Sequence, residues 1–311
     1  MSNKSVGYAM LLLIVGNLIA VFSDALIKTL GDGVAVFQFV FFRQLTAVII
    51  LLPFCVKSSL PELTSGLKWH ALRAHIWLFG AVFMVFAINS MPLATANAIF
   101  YAAPLIMLPL AFVFFREKLS KQSVLTGVIG FIGVLVVIRP THIDWAAISA
   151  LVVALTLAGN NLLIRKLPTH QTVAQTLLLT NLVGMPASFG LALWEGEAWN
   201  WAPLLIAAGS SFFILIYAAT CVVAYRSVES NKIASAEYSG LLGAVLVGIV
   251  WFGEMPEIEM LIGAALIILP LLLLAKVEQK QKRARKKEAQ TVIEMSLESD
   301  FSLATDPTVE R

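Results

Sequence analysis

Residues Val6–Leu30 read VGYAMLLLIVGNLIAVFSDALIKTL, an apolar run in which the first charge is Asp24 and the second Lys28. A helix of about 20 apolar residues crosses the roughly 30 Å of hydrocarbon in a bilayer, so this run is long enough to span. A secretory leader would have a shorter apolar core followed by a small-residue cleavage site. Here the run continues, carries its charges late and offers no such site. It reads as a permanent first span.

Working outward, the same pattern recurs along the chain. Apolar segments lie at about 6–29, 34–56, 72–90, 93–115, 122–138, 145–164, 173–193, 202–225, 232–252 and 257–275, which predicts ten transmembrane helices. They are continuously apolar rather than alternating, which excludes a membrane β-barrel. Composition agrees: 59% of residues are hydrophobic, 13% are charged and the mean hydropathy is +0.86. A soluble domain of this length needs about twice that charge. The net charge of +3 matters less than where the charges lie. If the N-terminus is cytoplasmic, that side collects Lys57, Lys68, Arg73, Arg116, Lys118, Lys121, Arg165, Lys166, Arg226, Lys232 and the cluster from Lys276 to Lys287. The opposite side keeps only Lys28 and Arg139 and carries Asp144, Glu195, Glu197, Glu254, Glu257 and Glu259. This asymmetry predicts that both termini are cytoplasmic.

An internal repeat adds the architecture. An offset of 137 residues pairs Lys28 with Arg165, Gln38 with Gln175, Ser90 with Ser227, Tyr101 with Tyr238 and Glu117 with Glu254. With one deletion, Gly127 meets Gly263. The offset holds five spans, an odd number, so the second copy must be inverted. The expected organisation is an all-α membrane protein of two inverted five-helix repeats, 1–138 and 139–275, followed by a cytoplasmic tail, 276–311, too polar to form a core. Inverted repeats suit secondary transporters, whose two halves exchange inward- and outward-open states around a midplane site.

The chain resembles the EamA-type carriers of the drug/metabolite transporter superfamily over about residues 6–275. The resemblance is carried by Met91-Pro-Leu-Ala-Thr-Ala-Asn-Ala98, by Phe114-Phe-Arg-Glu-Lys-Leu119, by Gly127, Gly130 and Gly133, and by the weaker second copy from Ala234 to Glu254. It implies that spans 1, 3, 4, 6, 8 and 9 enclose a central cavity, with spans 5 and 10 peripheral and span 2 outside the ring. Two further stretches, Asp24-Ala-Leu-Ile-Lys28 and Gln38-Phe-Val-Phe-Phe-Arg43, are similar to stretches in carriers for riboflavin and for S-adenosylmethionine.

Within that frame a few residues stand out against the apolar background. Arg43 sits about 13 Å into span 2, where an unpaired arginine costs at least ~2.5 kcal/mol. Asp24 lies at a similar depth in span 1, so the two form a candidate charge pair, either structural or coupling. Lys28, one turn past Asp24, is placed to close a local salt bridge with it; with its repeat mate Arg165 at the opposite face it also reads as a headgroup anchor or as half of a symmetric gate. Glu237, near the end of span 9, is a candidate for a proton or a cationic group, or else pairs with Lys232 at the interface. The candidate substrate-binding residues are Asn17, Asn97, Tyr101, Asn160, Glu237 and Tyr238. The amides would supply hydrogen bonds, and the rings, with Phe100, Trp77 and Tyr217, would stack on a flat ligand. Asn89 and Asn161 add further amides. Pro92, Pro104 and Pro109 predict a kinked fourth span, because proline frees backbone carbonyls that are tolerated beside a cavity or joint.

No hydrolytic or redox constellation and no phosphate-binding glycine loop is present, so the chain reads as neither an enzyme nor an ATP-driven pump. Cys55, Cys221 and the four histidines have no metal-ligand spacing, and no cofactor or nucleic-acid partner is implied. The expected partners are a small-molecule substrate and the lipid bilayer; a homo-oligomer is compatible with the sequence. The expected function is a bacterial inner-membrane secondary carrier, with riboflavin uptake foremost. Transport of S-adenosylmethionine or export of amino acids is the alternative, and an integral-membrane enzyme or a channel stands behind both.

Overall fold

The computed structural model describes residues 3–31, 33–56, 64–116, 121–138, 144–228, 233, 236–237, 239–270, 272–273 and 276. These residues are helical with short connections, and no strand occurs among them. In chain order the helices are α1 (Asn3–Lys28), α2 (Val36–Leu51), α3 (Leu67–Ser90), α4 (Leu93–Phe100), α5 (Ala103–Phe115) and α6 (Lys121–Ile138). They are followed by α7 (Trp145–Leu163), α8 (Val173–Trp194), α9 (Leu204–Ser227), α10 (Ser239–Phe252) and α11 (Ile258–Pro270). Short 3-10 turns extend α2 through Leu52–Cys55 and α7 through Ile164–Lys166. Seven segments are long and apolar enough to cross a membrane, counting α4 with α5 as one; α6, α10 and α11 supply shorter apolar helices. The third begins at Leu67, five residues before the apolar run suggests, because Lys68, His70 and Arg73 are carried on its first turns.

The bundle sets buried polar groups within an apolar core and exposes an apolar surface. Asn17, Asp24, Arg43, Arg73, Asn160 and Glu237 are buried, whereas Phe79, Phe86, Phe112, Phe131 and Leu205 are exposed. Hydrocarbon tails solvate such an exterior, and the interior must satisfy its own polar groups. The chain is a multi-pass membrane protein.

Helix ends are capped where the sequence supplies an acceptor. Asp144 accepts the Ala147 amide at 2.8 Å, and Thr172 with Gln175 forms a reciprocal capping box on α8. Two caps come from far along the chain. Glu195 accepts the Phe37 and Gln38 amides at the start of α2, and Glu254 accepts the Leu93 amide at the start of α4. Each carboxylate meets the partial positive charge of a helix N-terminus.

The fourth span is broken rather than merely kinked. α4 ends at Phe100, Tyr101 and Ala102 form a turn, and α5 restarts with Pro104 in its first turn. Proline lacks an amide hydrogen, which costs nothing in a first turn. Close crossings use small residues. A methyl group on Gly16 would lie 2.1 Å from Thr220 Oγ1, bringing α1 against α9; one on Gly80 would lie 2.3 Å from Thr156 Oγ1, bringing α3 against α7. Of the three span-5 glycines, Gly130 packs on Leu105 and Gly133 on the Gly263 backbone. Gly127 has open space around it, so close packing does not account for it.

Candidate functional site

α9 lies at the centre of the site, contacting α1, α2, α7 and α8. Two cavities share its residue Ile214 in their linings. The first is lined by Asn17 and Asp24 of α1, Asn97 of α4, Tyr101 at the helix break, Tyr217 of α9 and Glu237 just before α10. With Met84 and Leu157 it draws on spans 1, 3, 4, 6, 8 and 9, the set that the resemblance implies.

Both carboxylates of this cavity are buried, Asp24 at 5% exposure and Glu237 at 3%. Glu237 does not reach the interface. Asn161 Nδ2 donates to its Oε1 at 3.3 Å, and the Tyr225 hydroxyl donates to the same oxygen. The second reading of Glu237, a pair with Lys232, involves a residue outside those described. The Asn97 side chain meets the Asp24 carboxylate. Asn17 and Asn97 also donate to the carbonyls of Leu13 and Leu93, one turn back on their own helices. Their amide groups are thereby held beside the cavity. The break at Tyr101 directs that ring into the cavity, where it nears Gly240: a methyl there would lie 1.7 Å from the phenol oxygen. Tyr238 lies outside the described residues.

The second cavity is lined by residues of α2, α3, α7, α8 and α9. It holds Asn160 and Arg43, so α2 is not excluded from the polar interior as expected. Asp24 and Arg43 attract one another electrostatically, but they form no salt bridge. They face neighbouring cavities instead. Lys28 does not pair with Asp24 either. Its ammonium bonds Glu254 at 2.8 Å and donates to the Met91 and Ile88 carbonyls. Sequence reasoning passed over Arg73 and Tyr225. Arg73 reads from the sequence as a cytoplasmic flanking charge; its position within the apolar segment 72–90 was the available signal.

Residues 7–139 match the EamA-like transporter family. An S-adenosylmethionine uptake transporter of Rickettsia prowazekii is 26% identical to this chain over 274 residues, 86% of this chain and 92% of that one. A riboflavin transporter of Vibrio cholerae is 26% identical over 248 residues, 76% of this chain and 82% of that one. A crystal structure at 17% identity superposes with a TM-score of 0.62, covering 89% of this chain and 98% of the other; that likeness concerns the fold alone. Both of these relatives are named as transporters of small molecules.

Proposed function

We propose that the chain is a bacterial inner-membrane secondary carrier that takes up a cation-bearing metabolite of the S-adenosylmethionine kind by alternating access. The observation that carries this is the placing of Asp24 and Glu237, both buried, on one cavity. A buried carboxylate has lost its hydration, and a cation beside it or a bound proton relieves that cost. A sulfonium supplies that charge, and the adenine ring can lie against Phe100, Tyr101 or Tyr217, which line the same cavity. The relatives named for S-adenosylmethionine uptake are consistent with this choice. Uptake of labelled S-adenosylmethionine into proteoliposomes tests it. Saturable uptake, stimulated by unlabelled substrate preloaded inside, is expected, and a channel would lack that stimulation. Riboflavin, foremost on the sequence, is the second reading and rests on the same rings. Riboflavin uptake without S-adenosylmethionine uptake would establish it instead.

We infer alternating access from ten spans in two inverted repeats, the seven long segments together with α6, α10 and α11. The second cavity supports this reading. Residues 137 apart line it in pairs: Val40 with Leu177, Arg43 with Thr180, Gln44 with Asn181, Trp77 with Ile214, and Ala81 with Ala218. A cavity on a pseudo-two-fold axis has this property. The packing of α1 on α9 and of α3 on α7 is likewise one contact in two copies. At the end of the bundle opposite the N-terminus, Lys28 binds Glu254. The 137-residue offset assigns the same charges to Arg165 and Glu117, of which Glu117 lies outside the described residues. Two ion pairs, one per face, would open in alternation.

A further inference from the structure

Arg43 is 5% exposed, and none of its three guanidinium nitrogens has a hydrogen-bond partner. Its backbone is nevertheless fixed. The hydroxyls of Ser211 and Thr46 donate to the Arg43 carbonyl at 2.7 and 3.1 Å. Arg73, also 5% exposed, lines the same cavity; its Nη1 donates to Thr180 Oγ1 at 3.2 Å, and its Nε has no partner. Among the described residues, neither arginine forms a salt bridge, and no Asp or Glu lines this cavity. The Gln44 side-chain nitrogen and oxygen and Asn160 Oδ1 are buried there without partners as well.

Both guanidinium groups lose hydration on burial in this cavity. An anion bound there would offset that loss. The planar fork of arginine presents paired donors that match a carboxylate. Asp24 attracts Arg43 from the adjoining cavity but leaves every donor unused. The basic cavity and the one carrying Asp24 and Glu237 are both lined by Ile214. A molecule with a cationic centre a few bonds from a carboxylate would complement both.

We propose that Arg43 and Arg73 form the receptor for the carboxylate of a zwitterionic substrate whose cationic centre faces Asp24 and Glu237. This rests on the reading of the chain as a carrier of S-adenosylmethionine-like substrates. The test uses purified full-length protein in detergent and follows ligand binding by thermal unfolding. The probes are S-adenosylmethionine, its decarboxylated form and glutarate, which has carboxylates but no cation. Wild-type protein should prefer S-adenosylmethionine over the decarboxylated form by at least about tenfold, the range of one strong charged contact. Arg73→Gln, or Arg43→Gln, should weaken only the carboxylate-bearing compound and bring the ratio toward one, while Arg43→Lys should keep part of it. Equal wild-type affinity for the two compounds overturns the proposal without any variant. Equal loss of both compounds in the Arg73→Gln and Arg43→Gln proteins also overturns it, since the arginines would then only hold the fold. If wild type binds neither sulfonium compound, the substrate reading fails. Saturable stabilisation by glutarate that Arg73→Gln abolishes would then still support the anion receptor, and no glutarate effect would overturn it too.

Discussion

Lys28 and Glu254 stand 226 positions apart in the chain and join at 2.8 Å, with both side chains less than one-fifth exposed. The pair ties four helix ends together. Lys28 closes α1 and donates to carbonyls at the end of α3, while Glu254 follows α10 and caps α4. Glu254→Gln keeps the cap acceptor but removes the charge, and should cost about 1–3 kcal/mol of stability. In the alternating-gate reading it should also raise labelling of a cysteine placed near Met91 from the side opposite the N-terminus. Glu117→Gln should raise labelling near Lys166 from the other side. Increased labelling on the same side for both variants would remove the inverted gates.

Glu237 is held by Asn161 and Tyr225. Tyr225→Phe takes away one donor to a buried carboxylate and should lower stability by about 1–2 kcal/mol. Glu237→Gln should reduce S-adenosylmethionine binding by at least about tenfold, if a close carboxylate–sulfonium contact is worth ~1.4 kcal/mol or more. Binding unchanged within twofold would detach Glu237 from the substrate.

Asp24 and Arg43 interact across space without contact. The coupling between Asp24→Asn and Arg43→Gln should therefore be on the order of 1 kcal/mol, below that of a contacting buried pair. Thermal unfolding of the two single variants and the double variant measures it. Strict additivity would mean that the field between the cavities is screened.

Gly16 faces Thr220 so closely that a methyl group would overlap its hydroxyl. Gly16→Ala should destabilise by about 1–3 kcal/mol, the cost of overpacking. Adding Thr220→Ala should recover much of that. An unaffected Gly16→Ala protein would mean that α1 and α9 separate without cost.

Topology is open to direct measurement. Reporter fusions after Lys166 should report the cytoplasm, and fusions after Glu197 the opposite side, because α8 lies between them. The same side for both would end the ten-span reading and the inverted repeat with it.

Much of the architecture was legible because a bilayer makes length and hydropathy diagnostic. Val6–Lys28 and the other long apolar segments emerge as helices near the expected positions. Pro104 marked the broken fourth span, and the buried asparagines and Glu237 were conspicuous against an apolar background. What stayed hidden was which face of each helix turns inward. A lipid-facing side chain and a core side chain can both be leucine, so periodicity does not separate the two faces of a membrane helix. For that reason Arg43 was placed outside the polar interior, and Arg73 was read as a flanking charge.

By itself, the sequence determined a polytopic helical membrane protein, its approximate spans and the costly polar residues inside them, since transfer of these groups into hydrocarbon depends on residue type alone. Tertiary structure alone decided the partners. Asp24–Lys28 is the locally available pair, yet Lys28 binds Glu254 because the end of α1 is carried to the turn after α10. Arg43 and Arg73 share a cavity because α2 and α3 both close on α8. Long-range Coulomb and hydrogen-bond partners depend on distances that only packing sets.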